Sequence, residues 1–325
     1  MNTLQLRFQS LADELKQKIL GQPQLIEKLL IALLADGHLL VEGAPGLAKT
    51  RAIRQLAGGM EGTFHRVQFT PDLLPADLTG TEVFRPEDGS FSFQKGPLFN
   101  NLVLADEINR APAKVQSALL EAMEERQITV GKTSYRLDDP FLVMATQNPI
   151  EQEGTYPLPE AQLDRFLLHV RVDYPGLEAE RQIIKMAREE AKAKDQQTGQ
   201  AASAGLLTRD ELRNARLEVL ELHMAEPLGE YLLQLVQATR DATPWGEDID
   251  SWLDYGASPR ASISLDRCAR ARAWLQGRDH VVPGDIRLLA GDVLRHRVLL
   301  NYGAEAAGIT TDQLVAELLT RIPIP

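Results

Sequence analysis

One short stretch constrains this chain more than any other: Gly43, Ala44, Pro45, Gly46, Leu47, Ala48, Lys49 and Thr50 in succession. Ahead of it, His38 to Glu42 is a short apolar run that reads as a buried strand. Behind it, Arg51 to Ala57 has helical spacing and good helix formers. Strand, glycine-bearing turn, lysine, hydroxyl and helix is a layout that cradles a nucleotide triphosphate. Backbone N–H groups and the positive helix end take phosphate oxygens, the lysine reaches the β- and γ-phosphates, and the hydroxyl ligates Mg²⁺. The usual pattern has glycine before the lysine, and here Ala48 stands there. Alanine adds one methyl, which fits if the backbone keeps a negative φ.

A second feature supports the first. Leu102 to Ala105 is a buried-strand run that ends in Asp106 and Glu107. An apolar strand closing in two acids supplies the other half of such a site: Asp106 for the Mg²⁺ shell, Glu107 to orient and deprotonate the attacking water. Phe141 to Ala145 is another buried strand, followed by Thr146, Gln147, Asn148 and Pro149. Asn148 reads either as a polar amide positioning the lytic water or as an ordinary turn signal. Gly21, in the break between two amphipathic segments, is open in the same way: with Ile19 and Leu20 it either packs against a purine ring or simply ends a helix.

Composition narrows the class. At 325 residues the chain exceeds a usual single domain, with 44% hydrophobic and 25% charged residues. Asp and Glu outnumber Lys and Arg by 46 to 35, which disfavours nonspecific binding to nucleic acid or to an anionic membrane. One cysteine, Cys268, reads as a partly buried structural thiol. The six histidines lie far apart, with no metal-ligand spacing, and His296 between two arginines reads as part of a solvated helix face. No segment is apolar enough to insert in a membrane and no leader is visible, so the expected compartment is the cytoplasm.

Along the chain, helices are expected at Leu4–Ile19 and Gln24–Leu34, and a strand at Phe64–Phe69. A long stretch follows, Thr70–Phe99, with little regular structure beyond a short hairpin around Glu87–Gly89. A helix at Ala113–Arg126 carries Glu121, Glu124 and Glu125 on its wet face, and an alternating hairpin covers Gln127–Leu137. After a strand at Leu167–Val172, Pro175 and Gly176 close the first unit. Glu178–Ala193 is a charged helix, and Gln196–Gly205 reads as a flexible loop. The remainder is helical, apart from a loop with a short turn at Trp245–Tyr255. It includes a helix capped by Ser258 with Pro259 in its first turn, one opened at Val282 and running into Arg295–Arg297, and a last one at Thr311–Arg321.

With these pieces assembled, the sequence resembles the AAA+ ATPases, specifically the MoxR family. The resemblance runs over essentially the whole chain and rests on Gly43–Thr50, Leu104–Arg110, Ala145–Pro149, Leu158–Phe166 and Gly256–Ala261. It accounts for Ala48, since this family's motif has alanine there. It implies an α/β P-loop domain, a parallel sheet between helices, over residues 1–175, then a connection over 176–205 and a small all-α lid over 206–325. Lys49 and Thr50 match the phosphate lysine and Mg²⁺ hydroxyl, with Arg51 beside them; Asp106 and Glu107 match the acidic motif, and Asn148 the polar sensor. Arg165 matches an arginine finger that reaches a neighbouring subunit's nucleotide. Arg260 matches the lid arginine, acting on its own or a neighbour's nucleotide. Arg110 is a weaker candidate for facing the neighbour, and the plainer alternative for either motif arginine is a surface ion pair. The hairpins near 83–95 and 127–137 match inserts that face a ring's pore or one of its faces.

The implied activity is Mg²⁺-dependent ATP hydrolysis by a homo-oligomeric ring, a hexamer. The ring would drive chaperone-like remodelling, maturation or metal-cofactor insertion of a protein client, with a von Willebrand factor A domain partner. The alternatives are the motor subunit of a metal chelatase, a nucleic-acid translocase and a nucleotide holder without turnover. The translocase is disfavoured because, although the hairpin tips offer Lys95 and Lys132, the first hairpin also carries Glu87 and Asp88. The nucleotide holder is disfavoured by Glu107, Asn148 and Arg165.

Overall fold

The computed structural model of the 325-residue chain describes residues 2–87, 89–149, 154–195 and 206–325. Helix α1 (Thr3–Lys18) starts at an Asn2–Gln5 capping box and buries Phe8, Leu11 and Leu15, spaced for one face of a helix. Helix α2 (Pro23–Leu34) is buried nearly all round, down to Lys28, which pairs with Asp292 at 2.9 Å.

From there the chain alternates. Strand β1 (Leu39–Gly43) runs through the P-loop turn into α3 (Lys49–Gly58). Next come β2 (Phe64–Gln68), the short α4 (Pro75–Thr79), a hairpin of β3 (Gly80–Arg85) and β4 (Ser90–Lys95), and β5 (Leu102–Asp106). Helix α5 (Ala113–Glu125) leads to a second hairpin, β6 (Gln127–Val130) and β7 (Thr133–Arg136). Strand β8 (Leu142–Gln147), the one-turn α6 (Glu160–Leu163) and β9 (Leu168–Val172) complete this part.

Five of these strands form one parallel sheet in the order β2-β5-β8-β1-β9. Parallel strands need crossovers that cover both faces, so the three inner strands β5, β8 and β1 are near-continuous apolar runs, while the edge strands β2 and β9 carry polar residues. Alternate residues feed two cores. Leu39, Leu102, Leu104 and Met144 face the cluster that holds α1, α2 and α3. Leu40, Val103, Ala105 and Val143 face the cluster built with α5. The register places Gln68 opposite Asp106 and brings β8 between the acid-bearing β5 and the P-loop strand β1.

Among the described residues after α7 (Leu177–Asp195), the chain is mostly helical, with one small ladder. It comprises α8 (Arg209–Glu221), α9 (Glu226–Ala238), α10 (Glu247–Asp250), α11 (Pro259–Leu275), α12 (Pro283–Leu294), α13 (Tyr302–Ala306) and α14 (Thr311–Arg321). Strands β10 (Leu253–Tyr255) and β11 (Leu299–Leu300) pair between them. These helices share one continuous apolar cluster with α1, α2 and the β1–β9 face of the sheet. The packing thus joins the two ends of the sequence.

Several local expectations change. Thr70–Phe99 is more regular than its composition suggests. Asp77 caps α4 by accepting from the Leu74 N–H at 2.8 Å, and β3 and β4 pair over six positions. The two hairpins meet through Phe93 stacked on Tyr135, with ring centroids 4.4 Å apart. In Trp245–Tyr255 the expected short turn is the four-residue α10, and the addition is β10. His296 is buried, not on a solvated face, because the chain turns inward after α12 and its Nε2 lies 3.0 Å from the Phe166 carbonyl. Cys268 is fully buried, and desolvation pushes its thiol up to about 12. The loop expected at Gln196–Gly205 lies outside the described residues, as does Asp88 in the first hairpin. No helix among the described residues is long and apolar enough to cross a membrane.

Candidate functional site

The P-loop turn sits at the C-terminal edge of the sheet, the place where parallel sheets open a crevice between strand ends. Gly46 has φ +83° and Ala48 has φ +58°, so two of the turn's residues are left-handed. The expectation of a negative φ at Ala48 is therefore corrected. Tight curvature into α3, whose N-cap Ala48 is, demands the left-handed conformation, and the methyl group is tolerated at a cost of about 1 kcal/mol. Gly43 is required for another reason: a Cβ there would lie 2.7 Å from the Val172 carbonyl oxygen of the neighbouring strand.

Residues Pro45–Arg51, Asp106, Glu107, Thr146, Gln147 and Asn148 line a cavity of about 350 Å³. Lys49 Nζ donates to the Gly43 carbonyl. Burial lowers the pKa of its ammonium, and the carboxylates of Asp106, Glu107 and Glu42 oppose that shift. Asp106 accepts from Thr146 Oγ1 at 2.6 Å and from Arg66 Nη2 at 2.7 Å. Glu107 also has a left-handed backbone, at φ +59°. Its carboxylate accepts from Gln68 Nε2 at 2.7 Å and pairs with Arg110 Nε at 3.1 Å. Asn148, one residue past β8, is 6% exposed.

Among the described residues no group of three or more His, Cys, Asp or Glu could hold a metal ion. The cavity offers instead the Thr50 hydroxyl and the Asp106 carboxylate. Such oxygen donors suit Mg²⁺, which keeps most of its water and phosphate ligands.

Of the sequence-derived residues, Gly21 lies beside this cavity rather than in its wall, whereas Arg51 is part of the wall. Gly21, at φ +79°, packs where the α1–α2 turn meets the start of α7: a Cβ would stand 2.7 Å from Pro175 Cβ. Arg51 ties the same region together, donating to the Lys18 carbonyl at 2.7 Å and pairing with Glu190 of α7.

Arg165 and Arg260 are elsewhere. Both line a second cleft, of about 320 Å³, that shares no lining residue with the first. Arg165 Nε lies 3.0 Å from Glu124 Oε2, and Arg260 Nη2 contacts Glu124 Oε1. Neighbouring Asp164 anchors the arrangement: it accepts from Arg297 Nε at 2.7 Å and from the Ser258 hydroxyl at 2.9 Å. Arg297 is buried and also donates to the Phe166 carbonyl at 2.6 Å. The turn carrying Arg165 and the helix carrying Arg260 are thereby one rigid piece. Glu124 is exposed, as its place on a wet helix face implied, yet it is the acid that joins the two arginines.

Sequence reasoning assigned no role to Arg66, Gln68, Thr146, Glu124, Asp164 or Arg297. For Gln68 and Thr146 a signal existed: polar residues at the ends of strands that flank an acid-ended strand. For Asp164 and Arg297, 133 residues apart, none did.

Comparison with known proteins agrees with this geometry. The family described as "ATPase family associated with various cellular activities (AAA)" matches residues 38–168, and the AAA lid domain matches residues 248–318. The chain is 47% identical to Chaperone MoxR1 of Mycobacterium tuberculosis, over 96% of this chain and 81% of that protein. It is 33% identical to Protein MoxR of Methylorubrum extorquens, over 96% of this chain and 93% of that one. A crystal structure from Cytophaga hutchinsonii superposes with a TM-score of 0.90 at 44% identity, covering 99% of this chain and 96% of the other. A P-loop turn, an acid pair on the next-but-one strand and a helical lid, matched over nearly the full length, place this chain in the MoxR family of AAA+ ATPases, as a nucleotide-binding protein that hydrolyses ATP.

Proposed function

We propose that the chain works as a homo-oligomeric ring, a hexamer, in which each ATP is hydrolysed between two subunits. The observation that carries this reading is the separation of Arg165 and Arg260 from the cavity of their own chain. A guanidinium beside the transferring phosphoryl group is worth about 10³–10⁵ in turnover. Arginines gathered in another cleft contribute that only to a second copy, and Arg260, fixed to the same piece as Arg165, then acts on the neighbour's nucleotide as well.

Within the cavity the residues take distinct parts. The P-loop amides and Lys49 hold the phosphates, and Glu107 orients the water and takes its proton. In the free chain Gln68 and Arg110 occupy the Glu107 carboxylate, and Arg66 and Thr146 that of Asp106, so both acids exchange partners when nucleotide arrives. Mg²⁺, held by Thr50 and Asp106, would neutralise charge on the phosphates. Asn148 supports the water, and the Gly21 turn with Arg51 borders the base.

Residues 1–175 form the motor unit and 206–325 the lid, with 176–205 between them. The ring acts in the cytoplasm on a protein client, in chaperone-like remodelling, maturation or metal-cofactor insertion, with a von Willebrand factor A domain partner. The names of the MoxR relatives, one of them called a chaperone, support the client part of this reading.

Mixing tests the shared site. Glu107→Gln and Arg165→Ala should each lose turnover, by about 10²–10⁴ and about 10³–10⁵ respectively. An equimolar mixture should recover part of it, because some interfaces join an intact Glu107 to an intact Arg165. A mixture as inactive as its components rules out the shared site.

A further inference from the structure

Resting on the shared-site reading, we infer that Glu124 is an internal stand-in for phosphate at the arginine pair. Its carboxylate occupies in the free chain the place that the neighbour's terminal phosphate takes in the assembly, and it holds both guanidiniums on one anion until that phosphate displaces it.

Four observations lead there. The two oxygens of one carboxylate each serve a different arginine, Oε2 for Arg165 and Oε1 for Arg260, which is how two oxygens of a phosphate would be shared. Arg165 Nε, although buried, makes no directed hydrogen bond, so its contact with Glu124 is Coulombic and easily exchanged. Glu124 is the penultimate residue of α5, where the helix dipole disfavours a negative charge, so the acid is not there for the helix.

The fourth observation is charge. Five arginines against three acids line the cleft. Asp36 is taken up by Arg126 and Arg216, and Asp164 by Arg297 and, at 3.6 Å, by Arg260 Nη1. Arg267 has no ion pair among the described residues, and Glu124 alone answers Arg165. Such a cleft favours an incoming anion over neutral surface.

The pairs are about one-third to one-half exposed, so they are weak. Replacing the charge should therefore release the arginines rather than unfold anything. The test measures ATP turnover of the full chain against protein concentration, for wild type, Glu124→Gln and Glu121→Gln. Glu121 lies one turn earlier on the same helix and is exposed. Glu124→Gln should lower the half-activating protein concentration by about two- to fivefold, with turnover at saturating protein and thermal melting unchanged. Glu121→Gln should match wild type.

If Glu124 is merely a clamp, its variant will need more protein, or turn over less at saturation, and the inference falls. An unchanged concentration dependence overturns it equally. The Glu107→Gln and Arg165→Ala mixture separates the two levels. Recovery on mixing with no gain from Glu124→Gln sinks the Glu124 role alone, whereas no recovery removes both.

Discussion

The two charged clefts are nearly the same size, about 350 Å³ at the P-loop and about 320 Å³ around the arginines, yet they are built in opposite ways. The P-loop cleft is made of backbone. A turn between one strand and the next helix forms most of its wall, and its two acids come from the end of one strand, β5. The arginine cleft is made of side chains. Residues from 36 to 297 converge on it, and the buried Arg297–Asp164 pair keeps them together. A backbone site depends on local conformation and tolerates distant change. A side-chain site depends on docking, and it fails when the docking does.

That contrast can be broken most forcefully at Arg297. Its side chain is 2% exposed, and Arg297→Met leaves Asp164 without its buried partner. Stability should drop by about 3–5 kcal/mol in denaturant unfolding. Turnover should fall with the displaced arginines, while nucleotide binding at the P-loop survives in protein that remains folded. Nucleotide affinity that collapses along with turnover in folded protein would mean the clefts are not independent.

A smaller effect comes from His38, in the wall of the arginine cleft. Its Nδ1 accepts from the Val143 N–H at 3.0 Å, so Nε2 carries the proton and donates to the Met123 carbonyl. Burial first, then Arg126, push its pKa down from 6.5 to about 3. A lowered folded-state value means that protons bind the unfolded chain more readily. The stabilisation is thus complete above about pH 6.5 and is lost as pH falls towards 3. The His38 contribution should steepen from about 0.7 kcal/mol per pH unit at pH 6.5 towards about 1.4 kcal/mol per unit near pH 5. Buried His296 is shifted in the same direction. His38→Asn should flatten the wild-type slope by about that amount in denaturation at stepped pH; an equal slope would contradict the assignment.

The smallest effect belongs to the P-loop. Ala48→Gly removes a left-handed alanine but adds freedom to the unfolded chain. The two terms nearly cancel, for a net shift below about 1 kcal/mol in the unfolding midpoint. Destabilisation beyond about 2 kcal/mol would show that the Ala48 methyl packs usefully and that the turn is less purely backbone than described.

The helix at Thr311–Arg321 was legible to the residue, because Thr310 and Gln313 form a capping box just ahead of an apolar stripe. The strands that lead to Glu107 and Asn148 were legible as unbroken apolar runs. Ala48 was misjudged: a side chain does not report its own φ where a turn imposes it. His296 was misjudged because two flanking arginines look solvated, when Arg297 is in fact buried against Asp164. Both hairpins were legible, the first from its turn at Glu87–Gly89 and the second from the alternation of Gln127–Leu137.

What the sequence determined alone was the P-loop cleft, whose lysine, hydroxyl and acids stand at fixed steps from short strands. Hydrogen bonds between near neighbours and the apolar run of each strand specify that geometry. What only the tertiary structure decided was where Arg165 and Arg260 point. Their position depends on a helical unit folded back onto the sheet and on ion pairs between residues over a hundred positions apart, and no local pattern encodes such contacts.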